Sequence, residues 1–233
     1  MQRFFGSDTP ILQTKQAHLD VQDLCGLLRV RWGVGQRTLL SWMYTRIDQV
    51  FLVWGWMAGI IFLTPYCFPG LSWSQQAIAW SSLTVVGTGL MAGLAWYWVR
   101  VERLRWVVYC WAALMMLGIG LTDYGIFASV PVILMNLCQL WLGLSGAGYV
   151  VTGIGMRSRS FLLVAGLHLL ALPLLHWWPA EQFLITGIVI AGSLFGLAEL
   201  QWDMRPPQDS DWLSERELAF NQAQQRQRRL SYK

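Results

Sequence analysis

The chain of 233 residues is long enough for one large soluble domain or two small ones. Its composition excludes that class, because 55% of the residues are hydrophobic and only 13% are charged, against about 25% charged residues in a typical soluble domain. The high apolar content also excludes a disordered chain. We therefore predict an all-α membrane protein that crosses the bilayer several times, and the formal charge of +4 is interpreted as a topology signal and not as a nucleic-acid signal.

Residues 1–47 are predicted to form a segment on the cytoplasmic side of the membrane. From Lys15 to Trp32 the charged residues avoid one helical stripe, which consists of Leu19, Leu24, Leu27 and Leu28. This pattern predicts a basic amphipathic helix that Gly33 and Gly35 would end. This helix would lie either on the membrane surface or against the protein's own loops.

Six stretches are long and apolar enough to cross a hydrocarbon core of about 30 Å, which requires about 20 residues per helix. They are Val50–Phe68, Ala77–Val99, Leu104–Thr122, Pro131–Gly153, Phe161–Trp178 and Phe183–Leu200. Together they predict a six-helix transmembrane bundle over residues 48–203. The tryptophans nearest to mid-span are predicted to pack in its core, namely Trp54, Trp56, Trp111 and Trp141.

The basic residues predict the orientation of this bundle. All 17 lysines and arginines fall in the N-terminal segment, the loops after the second and fourth spans, and the C-terminal tail. The alternate loops, near residues 65–74, 123–124 and 179–181, contain neither lysine nor arginine. Because short basic loops stay on the cytoplasmic side, both termini are expected there.

The tail over residues 204–233 is polar. Pro206 and Pro207 are expected to stop the sixth helix. Residues 214–217 (Ser-Glu-Arg-Glu) form a capping-box pattern that predicts one short helix, acidic at its start and basic at its end. The tail is either a docking arm for a partner or for anionic headgroups, or a solvated segment.

Several spans carry small residues four positions apart, which places them on one helix face. These small-residue faces are Gly89 with Gly93, Gly143 with Ala147, and Gly192 with Gly196. In lipid no hydrophobic force drives helices together, so small residues promote association by letting backbones approach. The faces predict either packing within the bundle or docking of another membrane protein.

Few polar side chains are predicted inside the membrane, where they are costly and often functional. Asn136 and Gln139 lie in the fourth span, and His168 lies near the middle of the fifth. His168 is the candidate cofactor ligand, either as the single axial ligand of a chlorophyll or haem, or as a neutral histidine bonded within the bundle. A bis-histidine haem is excluded, because His168 and His176 share one helix and lie about 12 Å apart along it.

The sequence contains no HExxH, GxSxG, Walker or CxxC pattern. We therefore expect no catalytic residues, no metal site and no enzymatic activity. The leading hypothesis is an accessory subunit or assembly factor of a larger membrane complex. A small-molecule transporter or channel past Asn136, Gln139 and His168 is the first alternative, and a pigment- or single-haem-binding protein is the second.

The composition also suggests a location. Arginine outnumbers lysine and the chain has 15 tryptophans, a composition typical of bacterial membrane proteins and of small proteins of cyanobacterial thylakoids. We expect a bacterial inner membrane or a thylakoid, where the complex would be photosynthetic. The expected partners are the lipid bilayer and other membrane subunits, with no nucleic acid. The bound molecules considered are lipid, or a single chlorophyll or haem.

Overall fold

The computed structural model describes residues 10–15, 18–34, 37–206 and 210–231, with the side chains of all of these except 32–41 and 229–231. Its helices are α1 (Val21–Leu24), α2 (Arg46–Cys67), α3 (Trp73–Val101), α4 (Arg105–Phe127), α5 (Pro131–Leu134), α6 (Leu137–Met156), α7 (Arg159–Trp177), α8 (Gln182–Glu199) and α9 (Glu215–Ser231). Its strands are β1 (Leu12–Gln13), β2 (Leu28–Val34), β3 (Arg37–Tyr44) and β4 (Gln201–Trp202). One turn of 3-10 helix, Pro179–Glu181, leads into α8.

Six helices within the described part of the chain are long and apolar enough to span a membrane: α2, α3, α4, α6, α7 and α8. The prediction of a six-helix integral membrane protein is therefore confirmed. The largest difference lies in the fourth span, which was predicted to begin at Pro131. There the chain makes the single turn α5, breaks at Asn136 and starts α6 at Leu137. Asn136 donates its side-chain amide to the Val132 carbonyl, a local bond that competes with helix continuation.

The spanning helices form a closed ring. Each packs against the spanning helices before and after it in the chain, and α8 closes the ring against α2, which is its most extensive neighbour. α6 and α8 also touch across the ring. Short connections between long helices favour this packing of neighbours in sequence.

Glycine and phenylalanine fit each other reciprocally between α2 and α8. A Cβ atom at Gly55 would come within 2.7 Å of the Phe195 ring of α8. A Cβ atom at Gly187 would come within 2.9 Å of the Phe62 side chain of α2. Each phenylalanine therefore occupies space left by the other helix's glycine, and the two backbones approach closely.

Tryptophan, glycine and threonine recur at one spacing in α4 and α6, as Trp111, Gly118 and Thr122 in the first and Trp141, Gly148 and Thr152 in the second. Each tryptophan ring covers the glycine of the other helix. The Trp111 indole donates to the Thr152 hydroxyl at 2.9 Å, and the Trp141 indole donates to Thr122 at 3.1 Å. Through this Trp–Gly–Thr motif, α4 and α6 each pack a tryptophan on the other helix and bond it to the other helix's threonine. The motif confirms core packing for these tryptophans, whereas Trp56 is 67% exposed and that prediction is wrong.

The amphipathic helix predicted over Lys15–Trp32 is wrong. After the single turn α1, Gly26 adopts a left-handed φ of 73°. The chain then enters an antiparallel hairpin of β2 and β3, which pairs Leu28 with Tyr44. Residues 28–32 (Leu-Arg-Val-Arg-Trp) alternate apolar and charged side chains, and this period of two belongs to a strand and not to a helix.

The predicted C-terminal helix is confirmed as α9. The Ser214 N–H donates to the Glu217 carboxylate at 2.7 Å and the Glu217 N–H donates to the Ser214 hydroxyl at 3.4 Å, as a capping box requires. The sixth spanning helix ends at Glu199, one residue before the predicted end of the span at Leu200, so it stops ahead of Pro206, and Pro207 lies outside the described residues. The chain leaves the helix early because β4 pairs with β1 of the N-terminal segment. The described terminal segments therefore meet at one end of the bundle.

Candidate interaction faces and cavities

The small-residue faces point away from the bundle. Open space surrounds a Cβ atom placed on any of their glycines, with no atom of the described neighbouring residues within 4 Å: Gly89, Gly93, Gly143, Gly192 and Gly196. Ala147, next to Gly143 on the same face of α6, is exposed as well. These faces on α3, α6 and α8 therefore take no part in packing between the described helices.

A different set of glycines packs the bundle. At these positions an added Cβ would lie within 3.0 Å of a side chain on a neighbouring helix: Gly55, Gly87, Gly118, Gly125, Gly148, Gly153, Gly155 and Gly187. Both sets lie in apolar spans, so composition alone could not separate them. The large side chains opposite the second set, above all in the Trp–Gly–Thr motif, distinguish the two.

An apolar cavity of about 130 Å³ lies inside the ring, lined by side chains from all six spanning helices. Threonine hydroxyls at its wall bond within their own helices: Thr84 donates to the Trp80 carbonyl and Thr152 to the Gly148 carbonyl, both at 2.8 Å. Small-molecule pockets usually measure about 300–1,000 Å³. The cavity is thus smaller than such a pocket and its wall is mostly apolar.

The polar residues predicted inside the membrane are not brought together. Asn136 is exposed at the N-cap of α6, just outside the span. Gln139 lies in the first turn of α6, and its Oε1 has no hydrogen-bond partner among the described residues. Neither side chain lines the apolar cavity, and His168 does not line it either. No continuous polar path therefore joins these three residues.

His168 is fully buried between α7 and α6. Its Nδ1 lies 2.8 Å from the Val164 carbonyl, which can only accept, so we assign the proton to Nδ1. The ring packs against Tyr149 with 5.0 Å between centroids, and Nε2 has no partner among the described residues. As a ligand, His168 would have to bind the metal through Nε2, but its side chain is fully buried and lines neither the apolar cavity inside the ring nor the two further cavities described below. The surroundings of His168 do not fit a chlorophyll or a haem.

A second cavity, of about 220 Å³, lies where the terminal segments cover one end of the bundle. Four polar side chains at or beside its wall are at most 4% exposed: Asp20, Gln22, Glu102 and Asn221. Asn221 of α9 donates to Gln22 at 3.0 Å, and Gln22 donates to Glu102 at 2.9 Å. Arg228 binds the Asp20 carboxylate at 2.6 Å. This terminal polar network joins α9, α1 and the end of α3.

Two carboxyl groups of this region form no ion pair among the described residues. Burial raises the pKa of Glu102 to about 7, although Gln22 donates to it. Burial also raises the pKa of Asp23 to about 6, although the Trp98 indole donates to it at 2.9 Å. Both shifts have the same cause, since a charged carboxylate loses hydration when it is buried. Glu102 therefore titrates near neutral pH.

Asp203 behaves in the opposite way, because it caps the start of α7. Its carboxylate accepts from the Ser158 hydroxyl at 2.9 Å, the Ser160 N–H at 2.9 Å and the Arg159 side chain at 2.8 Å. Burial alone would raise the pKa of Asp203, but these donors outweigh it and hold the pKa below its ordinary value. The bonds satisfy N–H groups that a helix start leaves free.

Sequence reasoning missed the terminal polar network because its members are far apart in the chain. Asp20 and Arg228, for example, are separated by 208 positions. The capping box predicts α9 but contains no information on what α9 packs against. The Trp–Gly–Thr motif, by contrast, was visible as two identical spacings and could have been found.

No protein-family model matches the chain, and no curated protein or solved structure shows significant similarity to it. The described residues include no group of three or more His, Cys, Asp or Glu side chains placed to hold a metal ion. The class that the fold defines is a six-helix integral membrane protein. Its function is therefore inferred from its own geometry.

Proposed function

We propose that the protein is a non-enzymatic subunit or assembly factor of a larger membrane complex. It contacts other membrane proteins within the bilayer through the small-residue faces of α3, α6 and α8. The observation that carries the proposal is the outward position of these faces, since the bundle packs through a different set of glycines.

An outward glycine face is costly unless something packs against it. Glycine inside a helix destabilises it by about 0.5–1 kcal/mol relative to alanine. Gly89 and Gly93 gain no internal contact in return. A partner helix that approached this face would gain close backbone contact, which is the main source of helix association in lipid. Contact with a partner helix would therefore offset the cost of the glycines in α3.

The orientation is part of the proposal. The terminal segments meet at the end of the bundle that also carries the arginines between α3 and α4 and between α6 and α7. Basic residues are retained on the cytoplasmic side. We therefore place this end in the cytoplasm, for a bacterial inner membrane or a thylakoid.

The geometry gives less support to the two alternatives. A transporter or channel requires polar groups along a path, and the interior cavity is apolar and is not lined by Asn136, Gln139 or His168. A pigment or haem carrier requires room beside a ligand, and His168 is enclosed by packed side chains.

The test compares two changes at equally open positions. Gly89→Leu with Gly93→Leu fills the face of α3. Gly120→Leu in α4 is the matched control, because Gly120 is also open but has Met116 and Tyr124 four positions away, so it forms no small-residue face. Each variant replaces the wild-type protein in its native membrane, which is solubilised in mild detergent and run on a native gel.

We expect the wild type and Gly120→Leu to migrate with a large complex, and the α3 double variant to migrate alone with an unchanged melting temperature. Unchanged melting shows that only association was lost. Migration of the wild type as a single small species would contradict the proposal, and so would co-migration of the double variant with the complex.

A further inference from the structure

Three arginines line a groove where α3 passes into α4. Arg100 lies in the last turn of α3, Arg103 in the connecting turn, and Arg105 at the first position of α4. Trp106, Tyr109 and residues 210–212 complete the groove, whose volume is about 790 Å³. Among the described residues that line it, Asp211 contributes the one carboxylate, so the groove has a positive net charge.

The guanidinium groups retain unused donors. Arg105 makes no hydrogen bond or ion pair with the described residues. Arg103 lies 3.8 Å from the Asp211 carboxylate, which is beyond ordinary hydrogen-bond distance. Arg100 stacks on the Trp212 ring at 4.0 Å, and its Nε has no hydrogen-bond partner. An anion in the groove could accept from several of these donors.

The start of α4 adds a further attraction for an anion. Leu104, at the N-cap, offers no side-chain acceptor to the first-turn N–H groups. The helix dipole places partial positive charge at this end, and Arg105 adds a full charge to it. Such a placement is unfavourable by itself and becomes favourable when an anion binds.

We propose that this groove binds the phosphate of an anionic phospholipid. The groove lies at the junction of two spanning helices, where headgroups are expected. Trp106 and Tyr109, 47% and 58% exposed, flank it on the first turns of α4, and such rings lie at the boundary between headgroups and acyl chains. Arginine suits this ligand, because its planar fork can donate two parallel bonds to one phosphate. The proposal does not depend on the proposed function.

The test titrates purified full-length protein in detergent with dioleoylphosphatidylglycerol and counts bound lipid by native mass spectrometry. Dioleoylphosphatidylcholine, with the same acyl chains and a zwitterionic headgroup, is the control lipid. Arg103→Gln with Arg105→Gln is the test variant. Arg216→Gln with Arg226→Gln removes the same charge from exposed positions of α9 outside the groove.

We expect the wild type and the α9 double variant to bind phosphatidylglycerol at least tenfold more tightly than phosphatidylcholine. The groove double variant should lose this preference, and Asp211→Asn should strengthen binding because it removes the competing carboxylate. Equal loss in both double variants would show a general charge effect and overturn the site. Displacement of the lipid by equimolar inorganic phosphate would assign the groove to free phosphate and overturn the lipid proposal.

Discussion

Protonation of Glu102 is expected to change the stability of the protein near neutral pH. Its pKa in the folded protein is about 7, against an ordinary value of 4.5, because it is buried. A carboxyl group with a raised pKa stabilises the folded state when it is protonated. Its contribution is complete below its unfolded pKa and is lost as the pH rises through its folded pKa.

We therefore expect the melting temperature to fall as the pH is raised from about 5 to about 8. Glu102→Gln should flatten this dependence, because the amide stays neutral at every pH. At the higher pH the variant should be more stable than the wild type, by on the order of 2 kcal/mol. Thermal unfolding of both proteins across this pH range is the measurement.

Asp203→Asn is the control for this experiment. The pKa of Asp203 is lowered, so its contribution is present above its ordinary value of 3.8 and is lost only as the pH falls further. The change should destabilise the protein equally at both ends of the range. Asp23, whose pKa is also raised, will leave some residual slope. A slope in Glu102→Gln equal to that of the wild type would refute the assignment.

The spanning helices and α9 were predictable because their signals are local. A run of about 20 apolar residues, or a serine three positions before a glutamate, is contained in one stretch of chain. The hairpin of β2 and β3 was misjudged because Leu19, Leu24, Leu27 and Leu28 fit a helical stripe while the alternation after Leu28 fits a strand. Pairing of β2 with β3, which lies outside the stretch predicted to be helical, decided in favour of the strand period.

Glycines of the two sets should respond differently within one helix. Gly148→Leu in α6 would force the side chain into the Trp111 ring, and overpacking of this kind costs about 1–3 kcal/mol or more. Gly143→Leu, five positions earlier and open to the surroundings, should leave the melting temperature in detergent nearly unchanged. Equal destabilisation by the two changes would mean that Gly143 also packs inside the bundle.

The turn after α4 contains a second testable feature, a serine in a left-handed conformation. Ser129 has a φ of 51°, and the Val130 N–H bonds back to the Gly125 carbonyl at 2.9 Å to close the helix end. Non-glycine residues pay about 1–2 kcal/mol for this conformation. Ser129→Gly should therefore raise the free energy of unfolding by about 0.5–1 kcal/mol, since part of the gain is offset by glycine's freedom in the unfolded chain.

Ala128→Gly is the matched control for Ser129→Gly. Ala128 has a φ of −90°, which alanine adopts without strain. Glycine there should lower the free energy of unfolding, as measured by denaturation in the same detergent. Stabilisation by both changes, or by neither, would be inconsistent with a left-handed Ser129.

At the scale of the whole molecule, the two polar terminal segments are in contact with each other. The N-terminal segment and the tail bind each other through Asn221 and Arg228, and they cover one end of the bundle. Composition could place both segments outside the membrane, because polarity is local. It could not show that they are packed together, because that depends on pairs of residues from opposite ends of the chain.

The orientation of the bundle has a direct test in the living membrane. Green fluorescent protein fused after Lys233 should fluoresce, because the C-terminal end is placed in the cytoplasm. Alkaline phosphatase inserted at Gly70, in the open turn between α2 and α3, should be active, because that turn is placed on the opposite side. A non-fluorescent green fluorescent protein together with an inactive phosphatase would invert the orientation. If only one of the two reporters is active, Lys233 and Gly70 lie on the same side of the membrane, which would contradict six spans.

The small-residue faces are tested most directly by crosslinking in the native membrane. A photoreactive amino acid at Val86 lies beside Gly89 on the outer face of α3, and one at Leu117 lies on the outer face of α4; these side chains are 58% and 51% exposed. We predict that illumination links Val86 to one discrete membrane protein, while Leu117 yields only lipid adducts. Lipid adducts alone at Val86, and at Ile188 on the face of α8, would contradict the account.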